Sequence, residues 1–108
     1  MFGNKGGMDI GKLLKEAGGF QKEMARVQAE LNERVVEGTA GGGIVKAYVN
    51  GGLELLSVKI APEAVNPKEV DILEDLVTAA TKQAFQKAND MVKEEMKKIT
   101  PAGLPGMF

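Results

Sequence analysis

The chain contains neither cysteine nor histidine. Without cysteine, disulfides and thiolate-bound metals are excluded. Without histidine, the usual acid–base group near neutral pH is missing, and so is any Ser-His or Cys-His nucleophile pair. A catalytic site made only of carboxylates is not excluded by composition. However, Glu94 and Glu95 are helix neighbours that point about 100° apart and do not converge on one ligand. We therefore expect a protein that is not an enzyme and that binds no metal, cofactor or small-molecule substrate.

Aromatic residues are scarce, at 5% of the chain, and no apolar run is long enough to cross a membrane. Apolar residues make up 44% of the 108 positions, which suits one packed domain but not two ordinary cores. A small chain with few large side chains often completes its burial by oligomerising. We expect one domain over residues 1–108, located in the cytoplasm, with residues 1–8 and 100–108 as flexible tails.

The first periodic segment is helical. After Asp9, a suitable N-cap, apolar residues from Ile10 to Leu31 recur at alternating intervals of three and four, which is an unbroken heptad seam. Gly18-Gly19 lies inside this segment. Because each glycine costs a helix about 1 kcal/mol relative to alanine, we expect a kink or a break there.

A second long helix is predicted from Pro67 to about Ile99. Asn66 is a good N-cap, proline suits the first helical position, and Glu69 completes a variant of the capping box. The two helices flank a stretch that holds six of the fourteen glycines. The predicted order is α-β-β-β-α, an α+β fold with a three-stranded antiparallel sheet.

The glycines of this stretch are predicted to be turns. Val35-Val36 indicates a first strand, and residues 44–49 and 53–60 indicate two more, separated by Gly41–Gly43 and by Asn50-Gly51-Gly52. A phosphate-binding loop would need a Gly-Lys-Ser/Thr triplet between a strand and a helix, and no such triplet occurs. The glycines here lead into a strand instead.

The second turn allows two registers. A loop at Asn50-Gly51 places Val45 opposite Leu56, and a loop at Gly51-Gly52 places Val45 opposite Val58. In both registers one face is cleanly apolar, whereas the other mixes apolar side chains with Lys46, Ser57 and Lys59. That mixed face is too apolar to be left fully exposed. We predict that a second copy covers it, with an interface made by Ile44, Tyr48, Leu53 and Leu55.

Fourteen basic and fifteen acidic residues balance to a net charge of −1, so any case for nucleic acid depends on how the charges are arranged. On a helical wheel Lys12, Lys15, Lys22 and Arg26 fall within about 80° of one another, opposite the apolar seam. This stripe is either an ordinary solvated face or a row of cations that follows a phosphate backbone. Lysines at the end of the last helix complement the helix dipole in the ordinary interpretation.

Several motifs occur together in a recognisable order. They are the N-terminal Met1-Phe2-Gly3 with its glycine-rich arm, the Gly42–Lys46 sequence GGIVK, the Asn50-Gly51 turn, Ile60-Ala61-Pro62, the segment LEDLVTAA at 73–80, and the Gly/Pro tail ending in Phe108. Together they closely resemble the YbaB/EbfC family of small bacterial nucleoid-associated proteins. The resemblance covers nearly the whole chain.

The resemblance implies a cytoplasmic homodimer whose sheets join at the interface and whose long helices project outward. It also implies binding to double-stranded DNA, a change in DNA conformation, and roles in nucleoid organisation and gene regulation. Carried over by position, the DNA-binding residues would be Lys12, Lys15, Lys22 and Arg26 in the first helix and Lys93, Lys97 and Lys98 in the last. The alternative is a non-catalytic protein-interaction or chaperone-like dimer that uses the heptad helices and an apolar groove.

Overall fold

The computed structural model describes residues 10–99; Asp9 and both predicted tails lie outside the described residues. The α+β class and the α-β-β-β-α order are confirmed. The elements are α1 (Ile10–Glu33), β1 (Val35–Ala40), β2 (Val45–Asn50), β3 (Leu55–Ile60), a 3-10 turn (Pro62–Ala64) and α2 (Val70–Ile99). The strands form one antiparallel sheet in the order β1-β2-β3.

The main core lies between α2 and one face of the sheet, which we call the covered face. Val45, Ala47 and Val49 point into it from β2, and small side chains meet them from α2: Ala80, Ala84 and Ala88, all fully buried. Because these alanines are small, the helix lies very close to the sheet. An added Cβ at Gly38 of β1 would lie 2.2 Å from the Ala80 carbonyl oxygen. Close helix–sheet approach therefore explains how the core is built without tryptophan and with few aromatic residues.

The hairpin between β2 and β3 differs from both predicted registers. Val45 pairs with Ile60, and the register shifts between Tyr48 and Val49 because Leu56 is an extra residue in β3. The loop has three residues rather than two, and its last residue, Leu53, has a left-handed φ of 61°. As a consequence Leu55 pairs with Val49 on the covered face, so its predicted grouping with Ile44 and Tyr48 is wrong.

Asn50 holds this hairpin loop together. Its buried side-chain Oδ1 accepts hydrogen bonds from the backbone N–H groups of Gly52 (2.9 Å) and Glu54 (3.0 Å). The N–H of Gly51 donates to the carbonyls of Leu31 (3.0 Å) and Arg34 (3.1 Å) at the end of α1. The same turn therefore closes the hairpin and satisfies the C-terminal end of the helix, whose last carbonyls need external donors.

The first helix is continuous through Gly18-Gly19, so the chain does not break into two helices there. Two glycines cost about 2 kcal/mol, but adding a residue to an existing helix is far easier than starting a new one. The C-terminal part of α1 is anchored on α2 by a second apolar cluster of Val27, Leu31 and Met96. Residues N-terminal to that cluster extend from the anchored part as an ordered helix.

α2 begins at Val70, three residues later than predicted, and Asn66 caps the turn that precedes the helix rather than the helix itself. Its Oδ1 accepts from the Lys68 N–H (3.0 Å), and its Nδ2 donates to Glu69 (3.0 Å). The molecule is long and narrow, with extents of 78 × 23 × 18 Å and a radius of gyration of 21.6 Å. A compact chain of this length would have a radius of gyration near 13 Å. The elongation reflects two long helices that extend beyond a small sheet.

Candidate nucleic-acid interface

The N-terminal half of α1 forms a cationic arm. Between residues 10 and 22 the sequence has three lysines and one glutamate, whereas residues 23–33 have three glutamates and one arginine. The predicted stripe residues Lys12, Lys15, Lys22 and Arg26 are all exposed along this helix, which is about 36 Å long. The helix as a whole is charge-balanced, but its positive charge is concentrated in the half that lies farthest from the sheet.

The four stripe residues are not equivalent. Arg26 is bound by two carboxylates of its own helix, Glu23 and Glu30, the latter at 2.8 Å. The hydrogen bond that Arg26 donates to Glu23, followed by the charges of both glutamates, raises the pKa of Arg26. Within residues 10–99, neither Lys15 nor Lys22 has an ion-pair partner. An incoming phosphate would displace two carboxylates to reach Arg26 and none to reach these lysines.

At the end of α2 the predicted cations again differ in whether they are ion-paired. Lys93 and Lys97 are exposed, whereas Lys98 bonds the Glu95 carboxylate at 3.0 Å. Arg34, just after α1, approaches the same oxygen at 3.3 Å. The Lys98 hydrogen bond, together with Arg34, lowers the pKa of Glu95. Arg34 therefore links the end of α2 to the base of the arm, whereas the Lys98–Glu95 pair lies within α2.

The sheet face opposite α2, which we call the open face, is not covered by any element within residues 10–99. It is polar, with Glu37, Lys46, Tyr48, Ser57 and Lys59 pointing outward from the three strands. The Tyr48 hydroxyl donates to Glu37 at 2.8 Å, and this bond raises the pKa of Tyr48. Lys46 is directly opposite Lys59 in the β2–β3 ladder.

This lysine pair was not among the predicted site residues. Both predicted registers place Lys46 opposite another residue, either Leu55 or Ser57, so the pairing depended on the shift that Leu56 introduces. The pair borders a shallow depression of about 290 Å³ at the end of the sheet. Its other lining residues are Gly43, Ile44, Tyr48, Ile60 and Ala61.

The two edges of the sheet differ. At the β1 edge, side chains of α2 occupy the outward backbone groups: Gln83 accepts from the Thr39 N–H and Lys87 donates to the Glu37 carbonyl, both at 2.8 Å. No group within residues 10–99 does the same for the outer edge of β3. That strand also exposes apolar side chains, including Leu55 (46%), Leu56 (50%) and Ile60 (39%).

The four residues predicted for a dimer interface therefore lie in two places. Leu53 and Leu55 are exposed at the hairpin and on β3, whereas Ile44 and Tyr48 are half-buried beside the depression on the open face. Among residues 10–99, no three side chains of the metal-binding types come together. In the same part of the chain no helix is apolar enough over a sufficient length to span a bilayer.

The architecture defines a class of small α+β proteins in which a long charged helix extends from a three-stranded sheet. The chain belongs to the YbaB/EbfC DNA-binding family, whose model matches residues 5–104. The family predicted from the sequence motifs is thereby confirmed.

The relatives resemble this chain over nearly their full length. The chain is 47% identical to the nucleoid-associated protein TTE0040 of Caldanaerobacter subterraneus subsp. tengcongensis, covering 98% of this chain and 96% of that protein. It is 44% identical to the nucleoid-associated protein NT01CX_0824 of Clostridium novyi, over 98% and 94%. The crystal structure of the uncharacterized protein HP0035 from Helicobacter pylori has the same fold, with a TM-score of 0.77 at 18% identity over 86% of this chain and 98% of that one.

Proposed function

We propose that this protein is a non-catalytic, nucleoid-associated protein that binds double-stranded DNA in the bacterial cytoplasm. The cationic arm is the observation that supports this most directly. Lys15 and Lys22 lie on a continuous helix, exposed, and without a carboxylate partner within residues 10–99. Lysine and arginine contacts to phosphate position a protein on DNA without reading its sequence. Family membership and the names of the relatives point in the same direction.

In this proposal Lys12, Lys15 and Lys22 make the principal phosphate contacts. Arg26 contributes after giving up its bonds to Glu23 and Glu30. Lys93, Lys97 and Lys98 at the end of α2 form a second, weaker group. Binding along an ordered arm would bend or stiffen the duplex, and in this way the protein would organise the nucleoid and influence gene expression.

A salt titration tests the proposal. We expect the purified protein to bind duplex DNA of unrelated sequences with similar affinity, because no base-reading group is involved. The logarithm of the binding constant should fall linearly with the logarithm of the salt concentration, with a slope of about −0.9 for each phosphate contacted. Fluorescence anisotropy between about 0.05 and 0.2 M salt measures this slope. A flat salt response, or no binding at low salt, would contradict the proposal.

We further propose that the protein is a homodimer joined through β3. This edge strand is unpaired on its outer side within residues 10–99, and it exposes Leu55, Leu56 and Ile60. An exposed apolar edge readily pairs with another chain unless it is blocked. Leu53 and Leu55 belong to the predicted interface, and the predicted roles of Ile44 and Tyr48 in it stay predictions.

The dimer can be tested by replacing two leucines. We expect Leu55→Glu plus Leu56→Glu to give a folded monomer, because four carboxylates would meet across the dimer axis. Sedimentation velocity measures the mass, and circular dichroism verifies the fold. Leu14→Glu is the matched control, since Leu14 is 69% exposed on the arm, far from β3. A wild-type protein that sediments as a monomer at all concentrations would overturn the dimer.

A specific observation also favours the protein-interaction alternative. The arm exposes Ile10 (68%) and Phe20 (40%) of its seam and Leu14 (69%) beside the seam, and a helix from another protein could cover these side chains. The same experiment separates the two functions. A protein that fails to bind DNA at about 0.15 M salt but co-purifies with a stoichiometric protein partner would favour the alternative.

A further inference from the structure

We propose that Lys46 and Lys59 form a second phosphate-contact site on the open face of the sheet, so that DNA is bound by the sheet as well as by the arm. This inference rests on the proposed DNA-binding function and adds a site to it. The ligand is a phosphodiester of duplex DNA.

The first argument is the electrostatics of the pair. Residues directly opposite in an antiparallel ladder have Cβ atoms about 5 Å apart, and like charges at that spacing destabilise the sheet. Lys46 and Lys59 occupy such positions, and neither has an ion-pair partner within residues 10–99. The carboxylate on this face, Glu37, is engaged by the Tyr48 hydroxyl. A bound phosphate would supply the missing negative charge to both lysines at once.

The second argument is preorganisation. Lys46 is half-buried, and its Cε would lie 3.9 Å from a Cβ added at Gly43, so its side chain runs back over the glycine turn. Tyr48 and Ile44 line the same depression. A side chain already packed against its surroundings loses less conformational entropy on binding than one that extends into water.

The third argument is the side of the molecule on which the pair lies. α2 packs on the covered face of the sheet, and it also packs on Val27 and Leu31 of α1. The basic stripe of α1 lies on average about 125° around the helix from those two residues. The stripe and the open face therefore both point away from α2. A duplex on that side could contact the arm and the lysine pair together.

The test compares Lys46→Gln plus Lys59→Gln with Lys68→Gln plus Lys82→Gln, a control that removes the same charge from exposed lysines outside the stripe and the pair. We expect the Lys46/Lys59 variant to bind duplex DNA at least about tenfold more weakly near 0.15 M salt, with a salt slope shallower by about 0.9 per protomer, because the two lysines share one phosphate. Its melting temperature should equal or exceed that of the wild type, because the opposed charges are gone. Weak binding would then not be due to unfolding.

Each outcome decides the proposal. If the Lys46/Lys59 variant binds DNA as the control does, the second site is wrong while the arm and the proposed function stand. If the wild type does not bind DNA at all, both fail. Amide NMR signals give a further readout: shifts at Lys46 and Lys59 with inorganic phosphate but not with duplex DNA would assign the pair to a free phosphate and overturn the DNA contact.

Discussion

Replacing Gly38 by alanine is expected to disrupt the main core. The added methyl carbon would lie 2.2 Å from the Ala80 carbonyl oxygen and 2.4 Å from the Ala84 backbone nitrogen. Both are backbone atoms, so no side-chain rotation relieves the overlap and α2 must move away from β1. Overpacking a core usually lowers the free energy of unfolding by about 1–3 kcal/mol, and we expect a clash with backbone atoms to lower it by about 3 kcal/mol or more. We expect the melting temperature to fall by roughly 10–20 °C, as measured by circular dichroism.

The chain provides a matched control for this substitution. An added Cβ at Gly18 meets nothing within 4 Å, and Gly18 lies within a regular helix. Gly18→Ala should therefore increase the helicity of the arm and stabilise it by up to about 1 kcal/mol. A Gly38→Ala protein that melts at the same temperature as the wild type would show that α2 does not lie as close to the sheet as described.

The effect of Gly38→Ala would extend beyond the clash of the added methyl group. If α2 moves outward, Gln83 and Lys87 are withdrawn from the Thr39 N–H and the Glu37 carbonyl, and the β1 edge is uncovered. An uncovered strand edge promotes association between chains. We therefore expect the Gly38→Ala protein to aggregate on heating, and light scattering recorded during the melt measures this.

Local sequence signals predicted the element order because each of them acts over a few residues. The heptad seam of α1 and the Asn66 motif are of this kind: Val27 and Leu31 of the seam pack against α2, and the Asn66 side chain bonds the Lys68 N–H in the turn before α2. The register of the hairpin was not predictable in the same way. A left-handed leucine at position 53 and an extra residue at Leu56 have no composition signal, since glycine is the residue expected at a left-handed position.

That one error in register changed the interpretation of the site. A shift in pairing moves side chains to the opposite face of a strand. The predicted register placed Leu55 on the mixed face and did not show that Lys46 lies opposite Lys59. For this reason the face was interpreted as half-apolar, although it is mostly polar. The basic stripe of α1 was predictable, by contrast, because helical periodicity needs only the sequence. Its local neutralisation at Arg26 was evident only from the positions of the Glu23 and Glu30 carboxylates.

Reversing two charges on the arm is expected to have the largest effect on DNA binding. Lys15→Glu plus Lys22→Glu removes two phosphate contacts from each protomer and puts repulsive charges in their place. In a dimer four contacts are lost, and at about 0.15 M salt this weakens binding by two to three orders of magnitude. Both side chains are exposed and lack ion pairs within residues 10–99, so the fold should not change.

The matched control for the arm is Lys68→Glu plus Lys82→Glu, which makes the same change in net charge at exposed positions outside the stripe. If only the net charge matters, both variants should bind DNA equally weakly. If the arm makes defined phosphate contacts, binding should weaken mainly in the arm variant. Anisotropy titrations of both variants, with sedimentation to verify the oligomeric state, separate these cases. An arm variant with the wild-type mass that binds duplex DNA as tightly as the control would show that the arm of α1 is a solvated face. The DNA site would then have to lie on the sheet or at the end of α2.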